Sequence, residues 1–185
     1  MSEVSRRELF RLGAAGSGAL VLGMVLPGCA TAPDEREPTR VGAWALNAWL
    51  EIDPDGGVAF TLDRVEMGQG TVTGITTLVA EELDVAPQNI EVVFATVGDA
   101  YINPQYGLQV TGGSSSVRTS WERVREAGAR VRAVLLASAA EVWQEPVASL
   151  TTGDGHVLHP DGTQRIAYKD LLALAARQSM PEQVT

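Results

Sequence analysis

The sequence predicts an α+β fold in which antiparallel hairpins and a small mixed sheet pack against two or three helices. Apolar and polar residues alternate over 48–62 and 90–95, which is typical of half-buried strands. Apolar residues recur every third or fourth position over 72–83 and 117–143, which indicates amphipathic helices. A chain of 185 residues suffices for one domain.

The first predicted element is a β-hairpin with strands over 48–52 and 58–62. The intervening Pro54-Asp55-Gly56-Gly57 has the composition of a tight turn. A helix is predicted over 72–83, and Pro87 prevents it from continuing, because proline lacks the N–H that a helix requires. The expected order is therefore strand, turn, strand and helix.

The middle of the chain predicts a strand over 90–94, a loop over 97–107 and a long helix from Val117 to about Trp143. Gly128 costs that helix about 1 kcal/mol relative to alanine. Because Gly128 lies on the apolar stripe, we expect another backbone to pass close to it.

The last elements are a small hairpin that begins at His156 and a helix over 168–177. His156 and His159 lie around the hairpin turn, so we expect them to be solvated rather than bound to a metal. Trp121 and Trp143 lie on or beside the apolar stripe of the long helix, so we expect both in the core.

The N-terminal residues 1–33 have the composition of a secretion signal. Ser5-Arg6-Arg7-Glu8-Leu9-Phe10 precedes a weakly apolar stretch and resembles a twin-arginine signal peptide; an ordinary secretory signal is the alternative. Leu26-Pro27-Gly28-Cys29 resembles a lipoprotein cleavage box, so Cys29 is either a lipidation site or an inert cysteine. The sequence from Thr31 to Arg40 is Pro- and charge-rich, which is typical of a tether, and a linker is predicted over 34–43. These features predict export to the periplasm, with a membrane anchor if Cys29 is acylated.

The composition restricts the class of function. Asp and Glu outnumber Lys and Arg by 23 to 14, for a net charge of −9. This excess of negative charge argues against nucleic acid as a partner. A single cysteine excludes an iron–sulfur cluster or a Cys-ligated zinc site built from this chain alone, so any redox centre must be supplied from elsewhere.

Two loops of small residues, each directly before a predicted helix, are the candidate binding site. We call Glu66-Met67-Gly68-Gln69-Gly70 the first loop and Thr111-Gly112-Gly113-Ser114-Ser115-Ser116 the second loop. Backbone N–H groups at a helix start favour an anion, so both loops are expected to present bare donors to a polyanionic cofactor. No Walker lysine follows either loop, and Thr73 breaks the dinucleotide pattern G-x-G-x-x-G. Glu66 is expected to cap N–H groups or pair with an arginine rather than to catalyse.

Both loops, together with Val79-Ala80-Glu81-Glu82-Leu83 and Val117-Arg118, resemble the molybdopterin-binding region of the xanthine dehydrogenase and aldehyde oxidase family. With the leader and Asn47-Ala48-Trp49-Leu50, the chain more closely resembles large subunits of the isoquinoline 1-oxidoreductase and membrane-bound aldehyde dehydrogenase type. The resemblance implies that residues 44–185 are an incomplete molybdopterin-binding domain. It also implies a molybdenum-dependent oxidoreductase that acts on aldehydes or N-heteroaromatic compounds with oxygen from water.

The resemblance also assigns residues and partners. The implied cofactor-binding residues come from both loops: Met67, Gly68, Gln69, Gly70, Thr111, Gly112, Gly113, Ser114, Ser115 and Ser116. Gly68 and Gln69 would contact the pterin, and the second loop would bind the phosphate or the cytidine diphosphate of a molybdenum cytosine dinucleotide.

The cofactor's own sulfurs hold the metal, so no protein ligand is expected, and no catalytic residue is assigned because the G-x-G-E segment is absent. The implied partners are the remainder of the large subunit, a small subunit with [2Fe-2S] clusters and a cytochrome c subunit. We expect this chain alone to be inactive. The rival hypothesis is an exported lipoprotein that serves as a binding or assembly module without catalysis.

Overall fold

The computed structural model describes residues 44–45 and 47–184. The predicted signal peptide, Cys29 and the linker over 34–43 lie outside the described residues. Within the described part of the chain, no helix combines the length and the apolar character that crossing a membrane requires.

A four-stranded mixed sheet forms the first layer. Its strands are β1 (Trp44–Ala45), β2 (Leu50–Ile52), β3 (Val58–Leu62) and β4 (Ile90–Phe94). They lie in the order β1-β2-β3-β4, with antiparallel pairing of β2 to its neighbours and parallel pairing of β3 with β4. The predicted hairpin and third strand are therefore confirmed, whereas β1 was not predicted.

One helix packs on this sheet, a second helix packs on the first, and the two helices carry the two loops. Helix α1 (Thr71–Leu83) follows the first loop and connects β3 to β4, and α2 (Ser116–Trp143) follows the second loop. Left-handed residues end both helices, at Asp84 with φ 48° and Gln144 with φ 56°. The predicted helices are confirmed to within one residue at each end.

The two helices touch at Gly128 of α2. A Cβ atom built there would lie 2.8 Å from Cβ of Glu82 and 3.9 Å from the backbone oxygen of Val79, both on α1. Real Cβ atoms do not approach so closely, so only glycine permits this packing. The expected close approach of another backbone is confirmed, and its source is α1.

A second, three-stranded antiparallel sheet follows α2. It consists of β5 (Thr151–Gly153), β6 (His156–Leu158) and β7 (Arg165–Ala167), and α3 (Tyr168–Ala175) comes next. The hairpin and the helix are confirmed, although α3 ends two residues early, and β5 was not predicted. The hydroxyl of Tyr168 donates to the backbone oxygen of Leu83 at 2.8 Å, which attaches α3 to α1.

Two side-chain predictions are wrong. Trp121 is 48 % exposed and lies under the guanidinium of Arg125, so it is a surface residue rather than a core residue. The side chain of His159 is only 15 % exposed, 3.1 Å from a carboxylate oxygen of Asp161 and edge-on to Trp143. His159 is therefore held by neighbouring side chains and is not freely solvated.

Candidate functional site

The two loops are neighbours on one side of the molecule. The backbone N–H of Val65, just before the first loop, donates to Oγ1 of Thr111, the first residue of the second loop, at 2.8 Å. Just beyond the loops, Val117 of α2 lies beside Gly74 of α1. The geometry thus places both helix starts side by side, which a ligand that spans both loops requires.

A carboxylate of the chain itself fills the first loop. Oε1 of Glu66 accepts hydrogen bonds from the N–H groups of Gly68 at 2.7 Å and Gly70 at 3.0 Å, and Oε2 accepts from Val72 at 2.9 Å. These bonds, with that from Val72 foremost, lower the pKa of Glu66 below its usual value. The expectation that Glu66 caps N–H groups is confirmed, but the expectation that the first loop presents bare donors is wrong.

The side chain of Gln69 closes the same loop from the other side. Its Oε1 accepts from the N–H of the exposed Met67 at 2.6 Å. Its Nε2 donates to the backbone oxygen of Val65 at 2.8 Å and to Oγ1 of Thr71 at 2.7 Å. Both amide hydrogens are therefore used within the loop, and only Oε1 keeps an unused acceptor position.

The second loop has the opposite character. Gly112, Gly113 and Ser114 are exposed, and their N–H groups donate no hydrogen bond within the part of the chain that the structure describes. The half-buried Ser116 begins α2, whose first turn has no side-chain cap. Arg118 lies in that turn and donates to Oε1 of Gln105 at 2.7 Å. Open donors and a guanidinium at a helix start are suited to an anion.

Ser115 has a different role from its neighbours. It is fully buried, and its hydroxyl donates to the backbone oxygen of Gly112 at 2.8 Å and accepts from Nδ2 of Asn103 at 3.0 Å. Its hydroxyl therefore shapes the loop and is not presented at the surface. Asn103 is also fully buried, and the Asn103-Pro104 pair in the sequence indicates only a turn.

Gly113 permits a close contact that a larger residue would prevent. Its φ is +59°, and a Cβ atom built there would lie 2.0 Å from the hydroxyl oxygen of Tyr106. Tyr106 is 40 % exposed and lies against the second loop. Tyr106 is therefore beside the site, whereas Tyr101, from the same predicted loop, is buried against Trp49 in the core.

The buried side chain of Arg64, which the sequence did not identify as important, links the two loops through hydrogen bonds beneath the exposed site. Its side chain is fully buried, with Nη1 2.6 Å from Oδ2 of Asp63 and Nη2 donating to Oγ1 of Thr119 at 3.1 Å. Burial raises the pKa of Asp63, against the opposing effect of Arg64 and Arg123. Thr119 in turn donates to the backbone oxygen of Ser115 at 2.9 Å. Arg64 thus connects the end of β3 to the second loop.

The central residues of both loops are exposed at the surface. Clefts of about 310 Å³ beside Tyr168 and about 300 Å³ beside Trp49 include no residue of either loop. Around the loops, several large apolar side chains are 43 to 69 % exposed: Val65, Met67, Val117 and Trp121. Among the described residues, no group of three or more His, Cys, Asp or Glu side chains is arranged to hold a metal ion.

Known proteins similar to this chain agree on one domain family. The sequence profile described as molybdopterin cofactor-binding domain matches residues 13–185. Isoquinoline 1-oxidoreductase subunit beta of Brevundimonas diminuta is 36 % identical over 78 % of this chain and 19 % of its own length. Membrane-bound aldehyde dehydrogenase [pyrroloquinoline-quinone] of Gluconacetobacter polyoxogenes is 28 % identical over 93 % of this chain and 21 % of its own length. The chain thus spans about a fifth of each relative.

Solved structures support the same fold. Quinoline 2-oxidoreductase from Pseudomonas putida 86 matches with a TM-score of 0.52 and 19 % identity, over 74 % of this chain and 17 % of that protein. Cu,Mo-CO dehydrogenase matches with a TM-score of 0.51 and 23 % identity, over 66 % of this chain and 15 % of that protein. Because the family profile covers most of the sequence and the fold agrees, this chain belongs to the molybdopterin cofactor-binding domain family.

Proposed function

We propose that this chain is the N-terminal molybdopterin-binding segment of the large subunit of a molybdenum hydroxylase that oxidises aldehydes or N-heteroaromatic compounds. The observation that carries the proposal is the adjacency of the two loops, joined by the bond from Val65 to Thr111. The names of the two relatives, an isoquinoline oxidoreductase and an aldehyde dehydrogenase, support the choice of substrate class.

The two loops are suited to different ends of the cofactor. The open N–H groups of Gly112, Gly113 and Ser114, with Arg118, suit its phosphate end, in the cytosine dinucleotide form. Gly68 and Gln69 are assigned to the pterin end, where the remaining acceptor position of Gln69 is suited to a ring N–H. When bound, the cofactor supplies a redox-active molybdenum that transfers oxygen from water to the substrate. Met67, Gly70, Thr111, Ser115 and Ser116 shape the two loops around it.

The rest of the enzyme is proposed to lie on other polypeptide segments. The exposed apolar side chains beside the loops support a covering by the remainder of the large subunit. Electrons would leave through [2Fe-2S] clusters on a small subunit and a cytochrome c subunit. We assign no catalytic residue to this chain and propose that it is inactive alone. The N-terminal sequence supports export by the twin-arginine route to the periplasm, with anchoring if Cys29 is acylated.

Cofactor analysis of the complex tests the proposal. The chain is expressed with the subunits encoded beside it, and molybdenum, pterin fluorescence and extracted quinone are measured per chain. We expect molybdenum and pterin in equal amounts, with both reduced in Gly113→Ala and retained in Gly162→Ala, since Gly162 lies in the distant hairpin turn. A complex without molybdenum and pterin contradicts the proposal: bound pyrroloquinoline quinone would replace the cofactor assignment, and no cofactor would favour the binding or assembly module.

A further inference from the structure

The first loop already contains an anion, which is the carboxylate of Glu66. Both of its oxygens face the loop, and together they accept from Gly68, Gly70 and Val72 at 2.7 to 3.0 Å. The N–H of Val72 belongs to the first turn of α1, where the helix dipole also favours negative charge. The position that an external phosphate would take at this helix start is therefore filled.

The second loop has no such internal carboxylate. The N–H groups of Gly112, Gly113 and Ser114 donate no hydrogen bond in the described part of the chain, and the residues are exposed. Arg118 adds positive charge to the first turn of α2. The two adjacent helix starts therefore differ in how they can bind an anion. The N–H groups at the start of α1 already donate to Glu66, whereas those of the second loop, before α2, are open.

We propose that Glu66 is a specificity-determining residue that keeps phosphate out of the first loop and so directs the anionic end of the cofactor to the second loop. This inference rests on the proposed cofactor-binding function of the two loops. A phosphate oxygen at the first loop would compete with the carboxylate for the same three N–H groups and would be repelled by its charge. A neutral edge of a ligand that donates hydrogen bonds meets neither obstacle. Glu66 thereby fixes the orientation of the ligand across the pair of loops.

Inorganic phosphate is the probe that tests this inference. The full 185-residue chain is labelled with ¹⁵N, and amide shifts are followed during phosphate titration at neutral pH. In the wild type we expect shifts at Gly112, Gly113 and Ser114 and none at Gly68 and Gly70. In Glu66→Ala we expect new phosphate-dependent shifts at Gly68 and Gly70. A residue that merely stabilised the loop would not produce this gain of a second binding position.

Two further variants keep the test decisive. Glu81→Ala removes one negative charge from an exposed position on α1, and the first loop of this variant should stay unresponsive to phosphate. Should Glu66→Ala fail to fold, Glu66→Gln serves instead, because its single carbonyl oxygen can still accept from Gly68 and Gly70 while it frees Val72. The amide shift of Val72 should then respond to phosphate in the variant alone.

Three results would overturn the inference. The first is a response of Gly68 or Gly70 to phosphate in the wild type. The second is a folded Glu66→Ala in which Gly68 and Gly70 stay unresponsive, or a folded Glu66→Gln in which Val72 does. The third is a response at neither loop, in which case the second loop does not select the anion. The phosphate result is separable from the cofactor analysis. If Glu66→Ala gains the second anion position but the complex carries no molybdenum or pterin, Glu66 still excludes phosphate from the first loop, and it is the proposed function that fails.

Discussion

The two loops each contain two glycines and each precede a helix, yet their backbone N–H groups have different partners. In the first loop, Glu66 and Gln69 accept the N–H groups of the loop itself. In the second loop, the side chain of Ser115 points into the fold, and the neighbouring donors stay open. Composition identifies a candidate anion-binding loop, but the directions of one or two polar side chains decide whether it is available.

The largest predicted effect comes from Arg64, which connects the loops. Replacing it with methionine leaves the buried carboxylate of Asp63 without its 2.6 Å partner. We expect Arg64→Met to lower the free energy of unfolding by about 3–5 kcal/mol, the usual cost of breaking a buried ion pair. Urea denaturation followed by circular dichroism measures the change.

The matched control for Arg64 is Arg125→Met. Arg125 pairs with Glu82 at 2.6 Å, but its side chain is 46 % exposed. Solvent screens such a pair, so we expect a loss of at most about 1 kcal/mol. Equal losses in the two variants would show that burial of Arg64 is not what joins the loops.

The next effect compares two glycines inside the helices that carry the loops. Gly128→Ala would place a Cβ atom 2.8 Å from Cβ of Glu82, whereas Gly74→Ala would place one in ordinary contact with Val117 at 3.7 Å. We expect the first to destabilise the protein by about 1–3 kcal/mol through overpacking. The second should stabilise it by up to about 1 kcal/mol through helix propensity. Thermal unfolding gives the sign of the stability change in each variant. A change of the same sign in both would contradict the packing of α1 on α2.

Gly128 also illustrates what the sequence predicts well. The helical periodicity of the sequence places Gly128 on an apolar stripe, so the close approach of another backbone is predictable. The first hairpin and the helices α1 and α2 are predictable from periodicity as well. The burial of Arg64 is not predictable from the sequence, because it depends on Thr119, far away in the chain, and on the desolvated Asp63. The prediction that Trp121 lies in the core is wrong for a related reason. Helical spacing places it near the apolar stripe, but it lies at the surface under Arg125.

The interior of the second loop was likewise not predictable. Ser114 and Ser115 are chemically identical neighbours, and nothing in the sequence indicates that one is exposed and the other fully buried. The distinction arises from Asn103, which reaches Ser115 across a loop without periodicity. Short strands such as β5 are missed for a similar reason, since three residues do not display an alternation.

A smaller effect follows from that difference between the serines. Ser115→Ala removes the hydroxyl that accepts from the fully buried Asn103, so an amide hydrogen is left without a partner. We expect a loss of about 1–2 kcal/mol in the free energy of unfolding. Ser114→Ala, at an exposed position, should change it by less than about 0.5 kcal/mol. If chemical denaturation gave comparable losses of unfolding free energy for the two variants, the hydroxyl of Ser115 would not have the structural role described.

The smallest effect concerns Glu66 and its dependence on pH. The pKa of Glu66 is lowered in the folded chain by the bonds from Val72 and Gly70, so the folded state favours the carboxylate more than the unfolded state does. Its contribution to stability is therefore present above the unfolded pKa of 4.5 and is lost as the pH falls through the lower folded value. The difference in unfolding free energy between the wild type and Glu66→Gln should shrink from about pH 6 to about pH 2.5 in a series of urea titrations. A difference for Glu66→Gln that stays constant over this range would mean that the charge of the carboxylate does not hold the first loop, and that the two loops differ in hydrogen bonding alone.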